Sequence, residues 1–409
     1  MHNKKPIILT FVRYYLPGYK AGGPIRTIAN MVDHLGDQFD FKIIAMDRDL
    51  GDTEPYSNIT VDAWNVVGKA TVYYASPGVR WLRRLAQLIF TTPHDIMYLN
   101  SVFDSIFTLW PLLNYNLGRI HRCPVVLAPR GEFSEGALAL KRGKKISFLA
   151  AAKILHFYRK VIWQASSDYE KADIVRAMRN DSINIFIAGN CPQRIIIAPH
   201  FSSRSHPDFC KNRLCVVFLS RISPKKNLDF ALRVLRHVSV PIEFNIYGPK
   251  EDAIYWGQCE SLIASLPENV CVTYLGDIKH SQVAETMALH DLFFFPTRGE
   301  NYGHVIAEAL SAGTPVLIAD TTPWRDLQQA GVGWDLPLDA EQLYAERIDY
   351  CAGLDAAAYQ EWRVRVQHFA RERLSDPKII EANRALFMEA ISQGNSNSLF
   401  DERKNGHKG

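Results

Sequence analysis

Residues Phe293–Asp320 read FFFPTRGENYGHVIAEALSAGTPVLIAD. An apolar run stops at Pro296, and a loop holding Gly299, Glu300 and Gly303 follows. Apolar spacing then predicts a helix from about His304 to Ser311, ended by Gly313, before a second buried run at Pro315–Ile318. Strand, loop, helix and strand in that order form the repeating unit of a parallel sheet covered by helices. The start of such a helix presents N–H groups without helical partners and a partial positive charge, so it attracts anions. Gly303 lets the backbone approach a ligand closely. An ionised carboxylate only accepts hydrogen bonds, so Glu300 in the loop and Glu308 in the helix suit paired hydroxyl donors such as sugar or ribose diols.

The same alternation extends outward in both directions. Short apolar runs occur at Ile7–Val12, Phe41–Met46, Thr71–Ala75, Ile96–Asn100, Val125–Pro129 and Val161–Gln164, then at Leu214–Leu219, Ile242–Tyr247, Val270–Leu275 and Leu292–Phe295. Amphipathic stretches such as Ile25–Leu35 and Asn227–His237 separate them. Near-continuous Val, Ile, Leu and Phe marks strands buried on both faces. The fold class is therefore α/β, with two doubly wound, Rossmann-like parallel-sheet domains. Pro199–Arg213, polar and with two prolines, reads as the linker. The expected domains are 1–205, 206–392 (its last helix able to pack back on the first) and a disordered tail at 393–409.

Composition narrows the class. The chain has 409 residues, 47% of them apolar types and 22% charged, which excludes a disordered or fibrous protein. Seven cysteines without a CxxC pattern fit reduced thiols in a cytoplasmic protein rather than a disulfide scaffold or structural zinc. No run reaches the roughly 20 apolar residues that span a bilayer, and Ile146–Leu155 contains Lys153. The start, MHNKKPIILTFV, reads as a first buried strand and not as a signal peptide. The net charge of +4 hides an asymmetry: residues 1–205 hold 26 Lys+Arg against 16 Asp+Glu, and the remainder hold 21 against 27. A basic first half facing an anionic partner is the expectation.

Glu300 and Glu308, seven residues apart and followed by AGTPV, resemble the E-x7-E signature of retaining glycosyltransferases of family 4, which have the GT-B fold of two Rossmann-like domains facing a cleft. The resemblance implies that Glu308 holds the ribose hydroxyls of a nucleotide-sugar donor. It places Glu300 near the donor sugar, and the backbone of Asn301, Tyr302, Gly303, His304 and Val305 around the sugar or diphosphate. Upstream, VVFLSRISPKKNLDFAL ends a strand near Ser220 and supplies Arg221 and Lys226. They resemble the family's R-x4-K clamp on the departing diphosphate, with Lys225 an alternative ligand and Asn227 where the family often has Gly. Arg can chelate two phosphate oxygens, whereas Lys is a point charge. After Val270–Leu275, Gly276, Asp277 and Ile278 are expected to flank the base.

In the first half, RYYLPGYKAGGPIRTIANMV carries Lys20 and the pair Gly22 and Gly23 before a helix whose first turn holds Pro24. The family has a glycine-rich loop here, over the donor phosphates and beside the acceptor, although most GG pairs are simple turns. VVLAPRGEFSEGALALKRGKKISF resembles a bacterial surface-polysaccharide subgroup. Arg130 and Gly131 stand where many members have a catalytic His. Arg130 stays protonated and is a poor base, so it is expected to orient the acceptor or a phosphate, or else to pair with Glu132 or Glu135. WQASSDYEKADI, with Glu170, resembles the segment that closes the family's first domain; no chemistry is assigned to it.

The basic clusters Arg80, Trp81, Arg83, Arg84 and Lys141, Arg142, Lys144, Lys145 suit either an anionic membrane surface or a solvated helix face. No nucleic-acid module accompanies them. The resemblance implies a hexosyltransferase moving sugar from a nucleotide-sugar to a hydroxyl of a saccharide or polyprenyl-diphosphate-linked acceptor. The setting would be O-antigen, capsule or exopolysaccharide synthesis at the inner face of the cytoplasmic membrane. No metal and no other cofactor is expected. The alternatives are a phosphorylase or epimerase of the same fold, and a catalytically silent saccharide-binding or scaffold protein.

Overall fold

The apolar runs become the central strands because both of their faces are covered. In the computed structural model, which describes residues 4–78, 81–120, 122–139, 142–179, 183–194 and 213–405, two compact units form: Met1–Cys191 with Pro377–Gly409, and Pro192–Asp376. The boundary expected within Pro199–Arg213 lies, apart from Arg213, outside the described residues.

The first unit has strands β1 (Ile7–Phe11), β2 (Asp40–Met46), β3 (Trp64–Val67), β4 (Ala70–Ala75), β5 (Ile96–Asn100), β6 (Val125–Ala128), β7 (Val161–Ala165) and β8 (Ile185–Ile187). Their order is β3-β4-β2-β1-β5-β6-β7-β8, parallel except for the antiparallel β3–β4 pair. The helices are α1 (Gly23–Leu35), α2 (Trp81–Thr91), α3 (Trp110–Asn116), α4 (Glu135–Ala139), α5 (Arg142–Ile154) and α6 (Asp168–Met178), with a π-helical stretch at Ser105–Leu109 before α3. Side chains alternate across a strand. Ile8 therefore joins the core cluster that holds Ile28 and Met31 of α1, while Leu9 joins the one that holds Leu85 of α2, Leu112 of α3 and Leu149 of α5.

The second unit alternates strand and helix up to its last two helices. It comprises β9 (Leu214–Leu219), α7 (Leu228–Leu235), β10 (Ile242–Tyr247), α8 (Ala253–Ile263), β11 (Val270–Gly276), α9 (His280–Ala288), β12 (Leu292–Phe295), α10 (His304–Ser311), β13 (Val316–Ala319), α11 (Leu327–Ala330), β14 (Gly333–Leu336), α12 (Glu341–Ala352) and α13 (Ala356–Leu374). The sheet is parallel throughout, in the order β11-β10-β9-β12-β13-β14. The order reverses between β9 and β12. Loops after those two strands diverge to opposite faces and leave a crevice at their carboxyl ends. In the first unit the corresponding reversal is between β1 and β5.

The last helix, α14 (Pro377–Asn405), belongs to the first unit. Leu386 and Phe387 are fully buried there, and Phe387 meets Phe39, Phe41 and Tyr98 edge-on. Burying each such side chain stabilises by about 1.5–3 kcal/mol. This corrects the expectation of a disordered tail from 393. A docked helix needs no new nucleus, so polar residues extend it at little cost. Cys123, Cys191, Cys259, Cys271 and Cys351 are free thiols, whereas Cys215 is disulfide-bonded, contrary to the expectation of reduced cysteines throughout. Among the described residues no helix is long and apolar enough to cross a membrane.

Candidate active site

The crevice of the second unit is built from the loops after β9 and β12. The β9 loop closes with Lys226 N–H on the Ser223 carbonyl at 2.9 Å and leads into Asn227. Asn227 has φ +63°, the left-handed region that Asn tolerates better than most side chains. This explains how Asn stands where the resembling family often has Gly. It also adds something Gly lacks: its Nδ2 donates to the Pro296 carbonyl (2.9 Å) and its Oδ1 accepts from Arg298 Nε (2.9 Å). Arg298 N–H in turn donates to the Lys225 carbonyl at 2.9 Å. Thr321 Oγ1, after β13, donates to the Thr297 carbonyl at 2.6 Å and ties in a third loop.

Lys226 and Glu300 meet across this seam as an ion pair, their side chains 12% and 13% exposed. Thr297 Oγ1 donates to the same Glu300 oxygen at 3.2 Å. Burial alone would push the Glu300 carboxyl pKa up and is the largest single influence. Lys226, Lys225 and Thr297 together outweigh it and hold the carboxyl below the usual range. The pair lies at the carboxyl ends of neighbouring β9 and β12, so strand order, not proximity in sequence, brings the two predicted residues together.

α10 begins at Gly303, φ +78°, where a Cβ would come within 2.8 Å of Ile306 Cδ1. Glycine is thus required for the turn that aims the positive end of α10 into the crevice. Asn301, Tyr302, His304 and Val305 surround that turn. Trp324, after β13, donates its indole N–H to the Tyr302 carbonyl at 2.6 Å and fixes it. Glu308, one turn further, faces His280 at the start of α9, with Nδ1 and Oε1 3.5 Å apart. Gly276 (φ +76°), Asp277 and Ile278 lead from β11 into α9, so Glu308 meets the first residue of the helix that these predicted base-flanking residues precede. Arg221 is not brought to Lys226 or Glu300; it pairs with Glu251, after β10, at 2.9 Å.

In the first unit, Gly22 (φ +71°) precedes α1 and Gly23 begins it. Asp49 Oδ2 accepts from the N–H groups of Tyr19 (2.6 Å) and Lys20 (3.0 Å), and Lys20 Nζ pairs with Asp52. Arg130 does not pair with Glu132, whose carboxylate accepts from Ser101 Oγ and from Val102 and Phe103 N–H. It reaches instead Tyr98, Asn100 and Asn190. Gly131 N–H donates to Glu170, which also accepts from Ser166, so Glu170 anchors the Arg130–Gly131 turn. Of the basic clusters, Arg84 pairs with Asp62 and Lys145 donates to the Ala137 carbonyl at 2.8 Å; Arg80 and Lys141 lie outside the described residues. Among the described residues no group of three or more His, Cys, Asp or Glu is placed to hold a metal ion.

Residues 202–353 match the family model of glycosyl transferases group 1. The similarity to that family lies in this segment of the chain. The match covers all six strands of the second unit and with them Lys226, Glu300 and Glu308. A 190-residue stretch is 27% identical to a phosphatidyl-myo-inositol mannosyltransferase of Mycobacterium tuberculosis, covering 45% of this chain and 47% of that protein. The chain thus spans about half the length of the curated relatives it matches. Among solved structures, a sucrose-phosphate synthase from Thermosynechococcus elongatus superposes with TM-score 0.72 at 13% identity, over 95% of this chain and 100% of that one. Anabaena HepE, in complex with UDP and glucose, gives 0.65 at 16%, over 95% and 100%. WaaG, a glycosyltransferase involved in lipopolysaccharide biosynthesis, gives 0.56 at 12%, over 93% and 99%. These likenesses show the fold, and it is GT-B.

Thr297, Arg298, Thr321, Trp324 and His280 were not among the residues read from sequence. His280 had a local signal, four residues after Gly276 at a helix start. Trp324 had none, since its role comes from a loop after the following strand.

Proposed function

We propose that the protein is a metal-independent, retaining glycosyltransferase moving a hexosyl group from a nucleotide-sugar to a hydroxyl of a saccharide acceptor. The observation that carries this reading is the Lys226–Glu300 pair, set at the β9/β12 reversal within the group 1 segment. A cation there can meet the negative charge that develops on a departing diphosphate. One well-placed donor contributes roughly 10²–10³ in rate. Lys226 and Lys225 meet that charge together with the N-terminal end of α10. Glu308 accepts from the ribose diol, and Glu300, released from Lys226 by the diphosphate, accepts from sugar hydroxyls. The bond between the anomeric carbon and the phosphate oxygen breaks. The acceptor oxygen bonds on the same face, and its proton passes to the leaving phosphate.

HepE's complex with UDP and glucose supports a UDP-sugar as the first donor to test. WaaG's role in lipopolysaccharide biosynthesis supports a lipid-linked acceptor in bacterial surface-polysaccharide assembly. Peripheral attachment to the inner membrane face is part of the same reading. Leu82 and Ile146 are 41% and 50% exposed beside basic residues of α2 and α5. The test is a thermal-shift panel of UDP, GDP and ADP and their sugars on the full chain, followed by mass spectrometry of the transfer product. A ligand at 100 times its Kd stabilises by about 2.7 kcal/mol. A rise with one nucleotide is expected; no rise with any would refute the reading and favour a silent GT-B protein.

A further inference from the structure

The first unit contains a cation that no carboxylate among the described residues pairs with. Arg130 Nε and Nη2 both donate to Asn100 Oδ1, at 3.1 and 2.9 Å. Nη1 donates to Asn190 Oδ1 at 2.6 Å, and Nη2 also donates to the Tyr98 hydroxyl. Every acceptor is a neutral oxygen. A guanidinium only donates, so both asparagines must turn their carbonyl oxygens toward it, which fixes their amide orientation. The nearby carboxylates are engaged elsewhere, Glu132 on the β5 loop and Glu170 on Gly131 and Ser166. Among the described residues no carboxylate forms an ion pair with Arg130. Aspartate at 100 or 190 would have nearly the same shape as the asparagine present and would neutralise the charge.

The position is also built with care. Arg130 has φ +56°, left-handed backbone that is unfavourable for a long side chain and is kept only where surroundings enforce it. Glu170 enforces it through Gly131. The side chain is half-buried rather than sealed, and four of its five N–H groups are used, leaving one on Nη1. Tyr98 lies within β5 and Asn100 ends it, and β5 is one of the two strands at the reversal of the first sheet, beyond whose carboxyl end a ligand is expected.

We propose that Arg130 is an oxyanion-binding residue of the first unit, and that the molecule bound there carries a phosphate or carboxylate group. That this molecule is the sugar acceptor rests on the glycosyl-transfer reading; the anion site does not. The phosphate of a diphosphate-linked carrier and the carboxylate of an acidic sugar share this chemistry. The test is a titration of full-length protein labelled with ¹⁵N-arginine, following the side-chain Nε–H signals, with the Arg130 signal assigned by Arg130→Lys. Pyrophosphate and glucuronate are added separately. The Arg130 signal is expected to move and saturate with at least one of them, pyrophosphate marking a phosphate-bearing ligand and glucuronate a carboxylate-bearing one. Asn190→Asp installs an internal counter-ion. It should weaken that response at least tenfold while melting no lower than the wild type. No movement with either anion, an unchanged response in Asn190→Asp, or a lower melting point of that variant would overturn the proposal. UDP added to the same sample reports on Arg221 and Arg298. Silence there would defeat the donor reading and leave the Arg130 result standing.

Discussion

Replacing Lys226 by alanine strips a largely buried carboxylate of its counter-ion. Removing one partner of a fully buried pair costs about 3–5 kcal/mol. The Lys226 and Glu300 side chains are 12% and 13% exposed, and Thr297 would still donate to Glu300. We therefore expect about 2–3 kcal/mol at pH 7, below the fully buried range. The sign of the pH dependence follows from Glu300. In the wild type burial raises its pKa, but Lys226, Lys225 and Thr297 more than offset this and depress it. The folded carboxyl then binds its proton less tightly than the unfolded one. Its stabilising contribution is complete above the unfolded pKa and is lost as pH falls through the folded pKa. In Lys226→Ala burial wins and the carboxyl pKa rises. The variant gains stability as pH falls through that raised value, so its deficit is widest near neutrality and closes toward pH 4.

Urea unfolding at pH steps from 4 to 8, followed by tryptophan fluorescence, measures the deficit. Adding Glu300→Gln to Lys226→Ala removes the stranded charge and should recover about half of the loss, because an uncharged amide is cheaper to bury. A deficit that is equal at all pH values, or a double variant no more stable than Lys226→Ala, would refute the reasoning. In a transfer assay the same alanine variant should lose roughly 10²–10³ in turnover with a smaller change in nucleotide affinity.

Glu308→Gln removes a charged acceptor and should weaken nucleotide binding about tenfold in calorimetry, while leaving unliganded stability nearly unchanged. Gly248 has φ +127°, and a Cβ there would stand 2.0 Å from the Ser220 carbonyl oxygen, just before Arg221. Gly248→Ala should therefore cost at least about 2 kcal/mol and displace the β9 loop, read by chemical unfolding and by loss of nucleotide affinity together. Buried His290 has its pKa pushed down to about 4, chiefly by desolvation. Unfolding then takes up a proton below pH 6.5, and stability should fall by roughly 3 kcal/mol between pH 7 and 4; His290→Gln should flatten that slope. Vesicles containing phosphatidylglycerol should carry the protein upward in flotation more than neutral vesicles do, with the excess reduced in Arg83→Ala/Lys144→Ala.

How far the sequence reached depended on where each residue's partners lie. Strands β1, β9 and β12 were legible because burial on both faces writes an unbroken apolar run. Three others left no such mark. β3 is an antiparallel edge whose residues alternate between exposed and half-buried, and β8 has only three residues. β14 opens on Gly333, where a Cβ would stand 2.0 Å from the Val316 carbonyl oxygen, so close strand packing puts a glycine where a β-branched residue would have signalled a strand. Arg130 shows the same limit within a site. The carboxylates beside it in sequence were the natural partners to consider, yet its partners come from β5 and from beyond β8, 30 and 60 residues away.

Arg221 and Lys226 differ in a way that spacing does not reveal. Both pair with a carboxylate, but the Arg221–Glu251 pair is 32% and 38% exposed, against 12% and 13% for Lys226–Glu300. An exposed pair contributes about 0–1 kcal/mol, so a diphosphate can take Arg221 from Glu251 at little cost. Taking Lys226 from Glu300 is different, because it strands a buried carboxylate unless something else satisfies it. Hydroxyls of the donor sugar can do so; a nucleoside diphosphate alone cannot. Under the proposed function, Glu300 couples the two ends of the donor. An intact nucleotide-sugar should engage Lys226 more completely than the free nucleotide does, and Glu300→Gln should narrow the difference between their affinities. If calorimetry finds the same difference in Glu300→Gln as in the wild type, Glu300 does not sense the sugar.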